Sequence, residues 1–410
     1  MKIKYLPHLV LSLLLFQCAS TPSRVVKNKT VTKYKSNVIR ILLDGDLQSR
    51  TISFNSPVVI KSEDNSIATL KKGEKFYFST DKDKIVLHLG KKKYSLNVCE
   101  IDPVAEDDLL NYKGKSYKGA FRIQSSNSKV ILINHSDLES YVKGVIYSEM
   151  GTASKSEDLE ALKAFAVCVR NYTLMKMEES SGAYDVLADF RDQVFNGVQT
   201  QKSLINRAVT ETEDMILLYN GLPAKVFYFS SCGGYTENCD NVFNQKSIPY
   251  LAGVKDGDET YCRISPGFMW EETYTPQELV QYLVRSGTLA KGEYVIKDIV
   301  VKSRFDSERV RDLYISVEDK DGQETGVTLT GNGIRSVIRS KVNGGLLKST
   351  LFSLKPQFRE GKLSKLVIQG LGNGHGVGLC QWGAIGQSRS GEKYDEILSF
   401  YFPGTKLGRL

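Results

Sequence analysis

From Asn37 to Asn134 the chain is a succession of short runs with a two-residue period, among them VIRILL, RTISF, KFYFS, KIVLHLG, KKYSLNV and KVILIN. Successive side chains of a strand point to opposite faces, so this period predicts antiparallel strands and hairpins, punctuated here by Gly, Asp and Asn. At Ser156 the period changes. In SEDLEALKAFAVCVRNYTLMKME the apolar Leu159, Leu162, Phe165, Ala166, Val169 and Leu174 recur near helical spacing, behind a serine and acidic residues suited to a helix N-terminus. LINRAVTETEDMILLYNG, TPQELVQYLVRSG and KYDEILSFYFPG read as further helices, AKVFYFSS as a strand, and Tyr294 to Gly370 as a second set of strands. Strand runs that give way to helices and then return confine the chain to an α+β fold, with a helix-containing core and flanking β-rich regions.

The first eighteen residues, MKIKYLPHLVLSLLLFQC, join a lysine-bearing start to a short apolar stretch that ends in cysteine. That is the layout of an export signal rather than a membrane span. A cysteine in that place is the one a lipoprotein signal leaves at the new N-terminus for acylation, so Cys18 is the expected lipidation site. Simple secretion with cleavage near ASTPS is the alternative. The polar stretch 19–36 then reads as a flexible tether, and the expected location is the cell envelope, exported and held to a membrane by lipid. The net charge is +8, and +6 once Lys2 and Lys4 leave with the signal, an excess that suits anionic surroundings. Nucleic acid is not the expected partner, because the chain is exported and lacks the interleaved aromatic and basic residues of single-strand binders.

In YVKGVIYSEMG, from Tyr141 to Gly151, Glu149 follows a run that is otherwise mostly apolar or small. Burial disfavours the ionised carboxylate, and a carboxyl kept protonated near neutral pH is a general acid. A salt bridge or a surface position is the bland alternative for a glutamate at a helix end.

Four separated pieces then fall in one order: LESYVKGVIYSEM, EALKAFAVCVRNYTL, FYFSSCGGYTENCDNVF and GHGVGLCQWGAIGQSRSGEKYDEILSFYFPGTKL. Together they resemble the stage II sporulation protein D (SpoIID/LytB) family of peptidoglycan-remodelling proteins, over nearly the whole chain from Asn37 onward. The resemblance implies a lytic transglycosylase that cuts glycan strands between N-acetylmuramic acid and N-acetylglucosamine, with Glu149 as catalytic acid. One carboxyl suffices for such a reaction, because the sugar's own 6-hydroxyl replaces water. Hydrolysis of the muramidase type is the rival enzyme reading and requires a second acid such as Asp189 or Asp192. A non-catalytic wall-binding protein or amidase activator is the reading from another class. Protein partners are not legible.

Beyond the signal (1–18) and the tether (19–36), the resemblance divides the chain into a β-rich region (37–116), the catalytic core (117–285), a second β-rich region (286–370) and a C-terminal motif and helix that complete the core (371–410). Expected substrate-binding residues are Lys163, Arg170, Tyr172, Gln193, Ser230, Ser231, His375 and Gln381. Lys163 and Arg170 stand seven residues apart, on about one helix face, and a solvated stripe is their plain reading. Ser230 and Ser231 precede a double glycine, and His375 lies in a glycine-rich loop beside Gln381 and the potential sugar platform Trp382. No cofactor is expected. Some relatives hold zinc with Cys and His around the stretch that here reads YDVLADFRDQVFNG, which has neither, so no metal is expected there. Of seven cysteines, six remain beyond Cys18, and export points to a disulfide, Cys232 to Cys262 or with Cys239 competing, over zinc.

Overall fold

The computed structural model describes residues 38–410 apart from 48–49, 64, 82–83, 127–128 and 199–202. The signal, the tether and Cys18 lie outside the described residues. Among the described residues no helix is long and apolar enough to cross a membrane.

The chain is α+β, and its strand-rich beginning builds the platform for the helices. A seven-stranded sheet runs in the spatial order Val186–Leu187, Val38–Asp44, Lys129–Asp137, Ala120–Ser126, Val98–Pro103, Val58–Ser62 and Asn65–Leu70. Its pairs are antiparallel except the short parallel contact of Val186–Leu187 with Val38–Asp44. Alternation is clean in Val38–Asp44, where Ile39 and Ile41 are fully buried. It fails in Lys129–Asp137, where Val130, Ile131, Leu132 and Ile133 are all buried because this inner strand is covered on both faces. A second sheet of four strands, Arg50–Ser53, Lys75–Asp81, Lys84–Leu89 and Lys92–Leu96, shares its core.

Asp137 ends the Lys129–Asp137 strand and caps the first helix, α1 (Leu138–Met150), by accepting from the Ser140 amide at 2.8 Å. The second helix, α2 (Leu159–Glu179), is buried almost all round, including every residue from Ala164 to Asn171. A helix enclosed in this way has no solvated stripe. The third, α3 (Ser203–Glu211), is shorter than its sequence pattern predicts. MILLY leaves the helix at Asp214, whose φ is +61°, and becomes the strand Met215–Tyr219, paired with the chain's last strand, Lys406–Arg409. Burying that aliphatic run against a strand outweighs its local helical spacing.

A single helical turn, α4 (Cys239–Val242), precedes a second hydrophobic core that extends from Trp270 to Ile368. It holds α5 (Pro276–Arg285), with Thr275 as cap as the sequence predicts, α6 (Gly333–Val337), and two three-stranded antiparallel sheets. The chain then returns to the first core. Leu379–Cys380 pairs in parallel with Tyr228–Phe229, and α7 (Gln381–Arg389) and α8 (Tyr394–Tyr401) pack against α2. Gly378 allows this return: its φ is +78°, and a Cβ there would lie 2.2 Å from the Phe227 carbonyl oxygen.

Candidate active site

Glu149 is the penultimate residue of α1 and is partly buried. Burial raises its pKa above the ordinary carboxylic value, while the Val194 amide and the neighbouring Gln381 amide pull it back. The carbonyl end of α1 lies at the same place and likewise disfavours a negative charge. Val194 N–H donates to Oε1 of Glu149 at 3.0 Å. The donor comes from the loop after Val186–Leu187, which is pressed onto α1 at Gly144.

The fit at Gly144 is tight: a Cβ there would stand 2.3 Å from a Phe195 ring carbon and 2.6 Å from the Gly197 carbonyl oxygen. Ser148 Oγ accepts from the Asn196 amide at 3.1 Å and completes the seam. Gly144→Ala is therefore expected to destabilise the protein by about 1–3 kcal/mol, despite the better helix propensity of alanine. Urea denaturation measures it; an unchanged midpoint would mean that the loop shifts freely.

Around Glu149 the structure gathers polar groups from four segments. Gln193 is fully buried, and its Oε1 accepts from Tyr141 Oη at 3.1 Å and from Thr173 Oγ1 at 3.1 Å. Tyr228 faces Glu149, Tyr141 and Tyr172 from the strand Tyr228–Phe229, and burial pushes its pKa, like that of Tyr141, well above the ordinary phenol value. Gln381 arrives at the start of α7, beside Ser230, whose carbonyl accepts from the Trp382 amide at 3.0 Å. Three of these groups, Gln193 Nε2, Gln381 Nε2 and the Tyr228 hydroxyl, are buried without a hydrogen-bond partner, the amides standing near Tyr228 and Glu149 but outside bonding geometry. Buried polar atoms are almost always satisfied, so a cluster of three such groups beside a carboxyl is unusual.

Tyr172 borders the cluster, but its hydroxyl is spent on Asp192 Oδ1 at 3.1 Å. Both acids of the rival hydrolytic reading are held in ion pairs. Asp192 is paired with Lys176 at 2.9 Å, and its Oδ2 accepts from the Leu187 amide. Asp189 pairs with Arg191 near the surface, which keeps its pKa low.

Four of the expected substrate-binding residues are buried or already engaged by protein partners. Arg170 is fully buried, its guanidinium held bidentately by Glu139 at 2.7 Å on both oxygens, with further bonds to Thr212 Oγ1 and the Val209 and Met215 carbonyls. It is a structural cation, because α2 is buried on the face that helical spacing alone left open. Lys163 lies in a separate patch, paired with Glu160 at 2.9 Å and Glu211 at 2.5 Å. The counterweight to burial at Glu149 thus comes from neutral donors. His375 packs among Phe227, Phe229 and Phe243; its Nε2 donates to the Tyr228 carbonyl and its Nδ1 accepts from the Val377 amide. Burial and the cations Arg335 and Arg309 pull its pKa down to about 3, so it stays neutral and holds the glycine loop in place. Ser231 is fully buried, whereas Ser230, one residue earlier, remains partly exposed.

Sequence reading missed Tyr228 and Tyr141. The available signal was the two-residue period of FYFSS, which places Tyr228 on the same strand face as Ser230. The expected disulfide partners Cys232 and Cys262 are adjacent but unbonded, with sulfurs 3.4 Å apart. Their third neighbour is Cys380; Cys239 lies elsewhere, near the Lys246 carbonyl.

A family model described as stage II sporulation protein matches residues 126–219, and a domain of unknown function (DUF8618) matches residues 263–378, which contain the whole of the second core. The chain is 30% identical over 324 residues to an uncharacterized protein of Brachyspira hyodysenteriae, covering 78% of this chain and 80% of that one. It is 29% identical over 286 residues to the stage II sporulation protein D of Bacillus subtilis, covering 66% of this chain and 74% of the relative. It is also 29% identical over 302 residues to the amidase enhancer of Bacillus subtilis, covering 65% of this chain but only 40% of that longer protein.

Proposed function

The chain belongs to the stage II sporulation protein D family, and from that premise we propose that it remodels the bacterial cell wall by lytic transglycosylation of peptidoglycan. The observation that carries the reading is one partly buried carboxyl of raised pKa set among three buried polar groups that form no well-aligned hydrogen bond.

In this mechanism Glu149, protonated by virtue of its surroundings, donates to the glycosidic oxygen between N-acetylmuramic acid and N-acetylglucosamine, and that bond breaks. The carboxylate left behind takes the proton of the sugar's 6-hydroxyl, whose oxygen closes the 1,6-anhydro ring. Val194 holds Oε1 and so fixes the carboxyl's orientation; Oε2 meets the substrate. Gln193, Gln381 and the Tyr228 hydroxyl supply hydrogen bonds to sugar hydroxyl and acetamido groups. Ser230 and Trp382 border the same strand-to-helix junction. The carboxylates nearby are engaged in ion pairs, which favours a one-carboxyl mechanism over hydrolysis by two.

Mass spectrometry of purified glycan strands after incubation with the protein tests the proposal. Anhydromuramyl ends are expected, and reducing ends alone would assign hydrolysis instead. The similarity to an amidase enhancer favours a second reading, in which the chain stimulates an amidase without cutting glycan. Intact strands, together with faster release of stem peptides by an added amidase, would select it. Export and lipid anchoring through Cys18 belong to the same proposal, since the substrate lies outside the cytoplasmic membrane.

A further inference from the structure

Beneath the strand pair that carries Ser230 and Gln381, Cys232, Cys262, Cys380 and Asp256 converge. One ligand atom from each lies within 4.8 Å of every other, and all four residues are buried. They come from separate parts of the chain: just beyond the FYFSS strand, the turn at Asp256, the short 3-10 helix Tyr261–Ile264 and the N-cap of α7. We propose that these four residues bind a structural zinc ion in tetrahedral coordination.

The spacing suits the ion. Zinc–thiolate bonds of about 2.3 Å put the sulfurs of a tetrahedral site roughly 3.8 Å apart. Cys232 and Cys262 sulfurs at 3.4 Å are near that separation and far beyond a disulfide bond. Three sulfurs that meet at one point cannot all be satisfied by pairing, since any disulfide leaves a buried thiol and a buried aspartate. Three soft thiolates with one carboxylate, and no open position, match a closed zinc site.

The surroundings are arranged for thiolates. The Cys232 and Gly383 amides donate to Cys380 Sγ, each at 3.2 Å, and the Gly234 amide donates to Cys232 Sγ at 3.4 Å. Asp256 is oriented through both oxygens, accepting from the Cys262 amide at 2.9 Å and from Tyr401 Oη at 2.7 Å. Such outer hydrogen bonds fix metal ligands in place. Gly383 is required there, as a Cβ would stand 2.1 Å from Tyr401 Oη and 2.7 Å from Asp256 Oδ1.

Arg309 gives an independent indication. It is fully buried, donates to the Cys232 carbonyl at 2.8 Å, and forms no ion pair with any described residue; its Nε and Nη1 lack partners. A buried guanidinium needs an anion. The buried Glu237 carboxylate is one such neighbour, and three thiolates and a carboxylate around a divalent ion, with a net charge of −2, add a second. The ion would clamp Cys232 to Cys380, and with them the strands that bring Ser230 and Gln381 to Glu149. This site does not depend on the transglycosylase reading.

The test is elemental analysis of the full chain after desalting, with cobalt exchanged for zinc as a spectroscopic probe. About one zinc per chain is expected, and cobalt should give the intense thiolate charge-transfer absorption and visible bands of a tetrahedral sulfur site. Cys380→Ser and Asp256→Ala should each retain far less zinc. The wild-type cobalt spectrum serves even where these variants fold poorly. Wild-type protein with well under a tenth of an equivalent of zinc and no thiolate band on cobalt addition would overturn the proposal, whether its sulfurs are free thiols or a Cys232–Cys262 disulfide on non-reducing peptide mapping.

Discussion

Glu149→Gln is expected to lower the rate of anhydromuramyl product formation by about 10²–10⁴-fold, with fold and glycan binding retained. Glutamine keeps the shape of the side chain, and its carbonyl oxygen accepts the Val194 amide as the carboxylate does. It gives no proton to a leaving oxygen and takes none from a 6-hydroxyl, so both halves of the reaction fail together. The wild-type activity should also decline as pH rises through the raised pKa of Glu149, because the donor form is then lost. Circular dichroism and a pull-down on purified sacculi check folding and binding, and mass spectrometry counts the ends. Release of anhydro ends at the parent rate would remove Glu149 from the reaction.

Arg170→Met should cost about 3–5 kcal/mol of stability, because removing one partner of a buried ion pair leaves the other uncompensated. Glu139 is 21% exposed, so water relieves part of that penalty and the lower end of the range is expected. The bonds to Thr212 and to the Val209 and Met215 carbonyls, which tie α2 to α3 and the following strand, are lost as well. Adding Glu139→Leu should restore much of the loss, since an apolar pair can replace a buried ionic one. Urea denaturation of both single variants and the double variant measures the coupling. Product yield per folded molecule should stay near the parent value. A stable Arg170→Met protein with poor glycan binding would return Arg170 to the substrate-binding set.

The fold class was legible because its signals are local. The two-residue period before Asn134 and the helical spacing after Ser156 each report which face meets a core, and Thr275 and the PG pair after Phe402 mark where elements start and stop. MILLY was misread as helix because a short aliphatic run is ambiguous until its partner strand is known, and that partner is almost 200 residues away at Lys406–Arg409. Glu149 was legible as a carboxylate at the end of an apolar run. Its neighbours Tyr141, Gln193 and Tyr228 converge only through a loop, a helix and a strand.

By itself, then, the sequence determined the α+β class, the order of its elements and the residue to suspect as acid, since periodicity, capping residues and motif order are properties of neighbours along the chain. The tertiary structure decided which charges serve the fold and which face a ligand. Arg170 and Lys163 share a face in helical spacing, yet one is enclosed against Glu139 and the other lies in a salt-bridged patch, because burial depends on what packs from outside the helix. The meeting of Cys380 with Cys232 and Cys262 was equally closed to inspection: it requires the C-terminal segment to return as a parallel strand beside Tyr228–Phe229, and a parallel pairing across 150 residues leaves no mark on the spacing of the cysteines themselves.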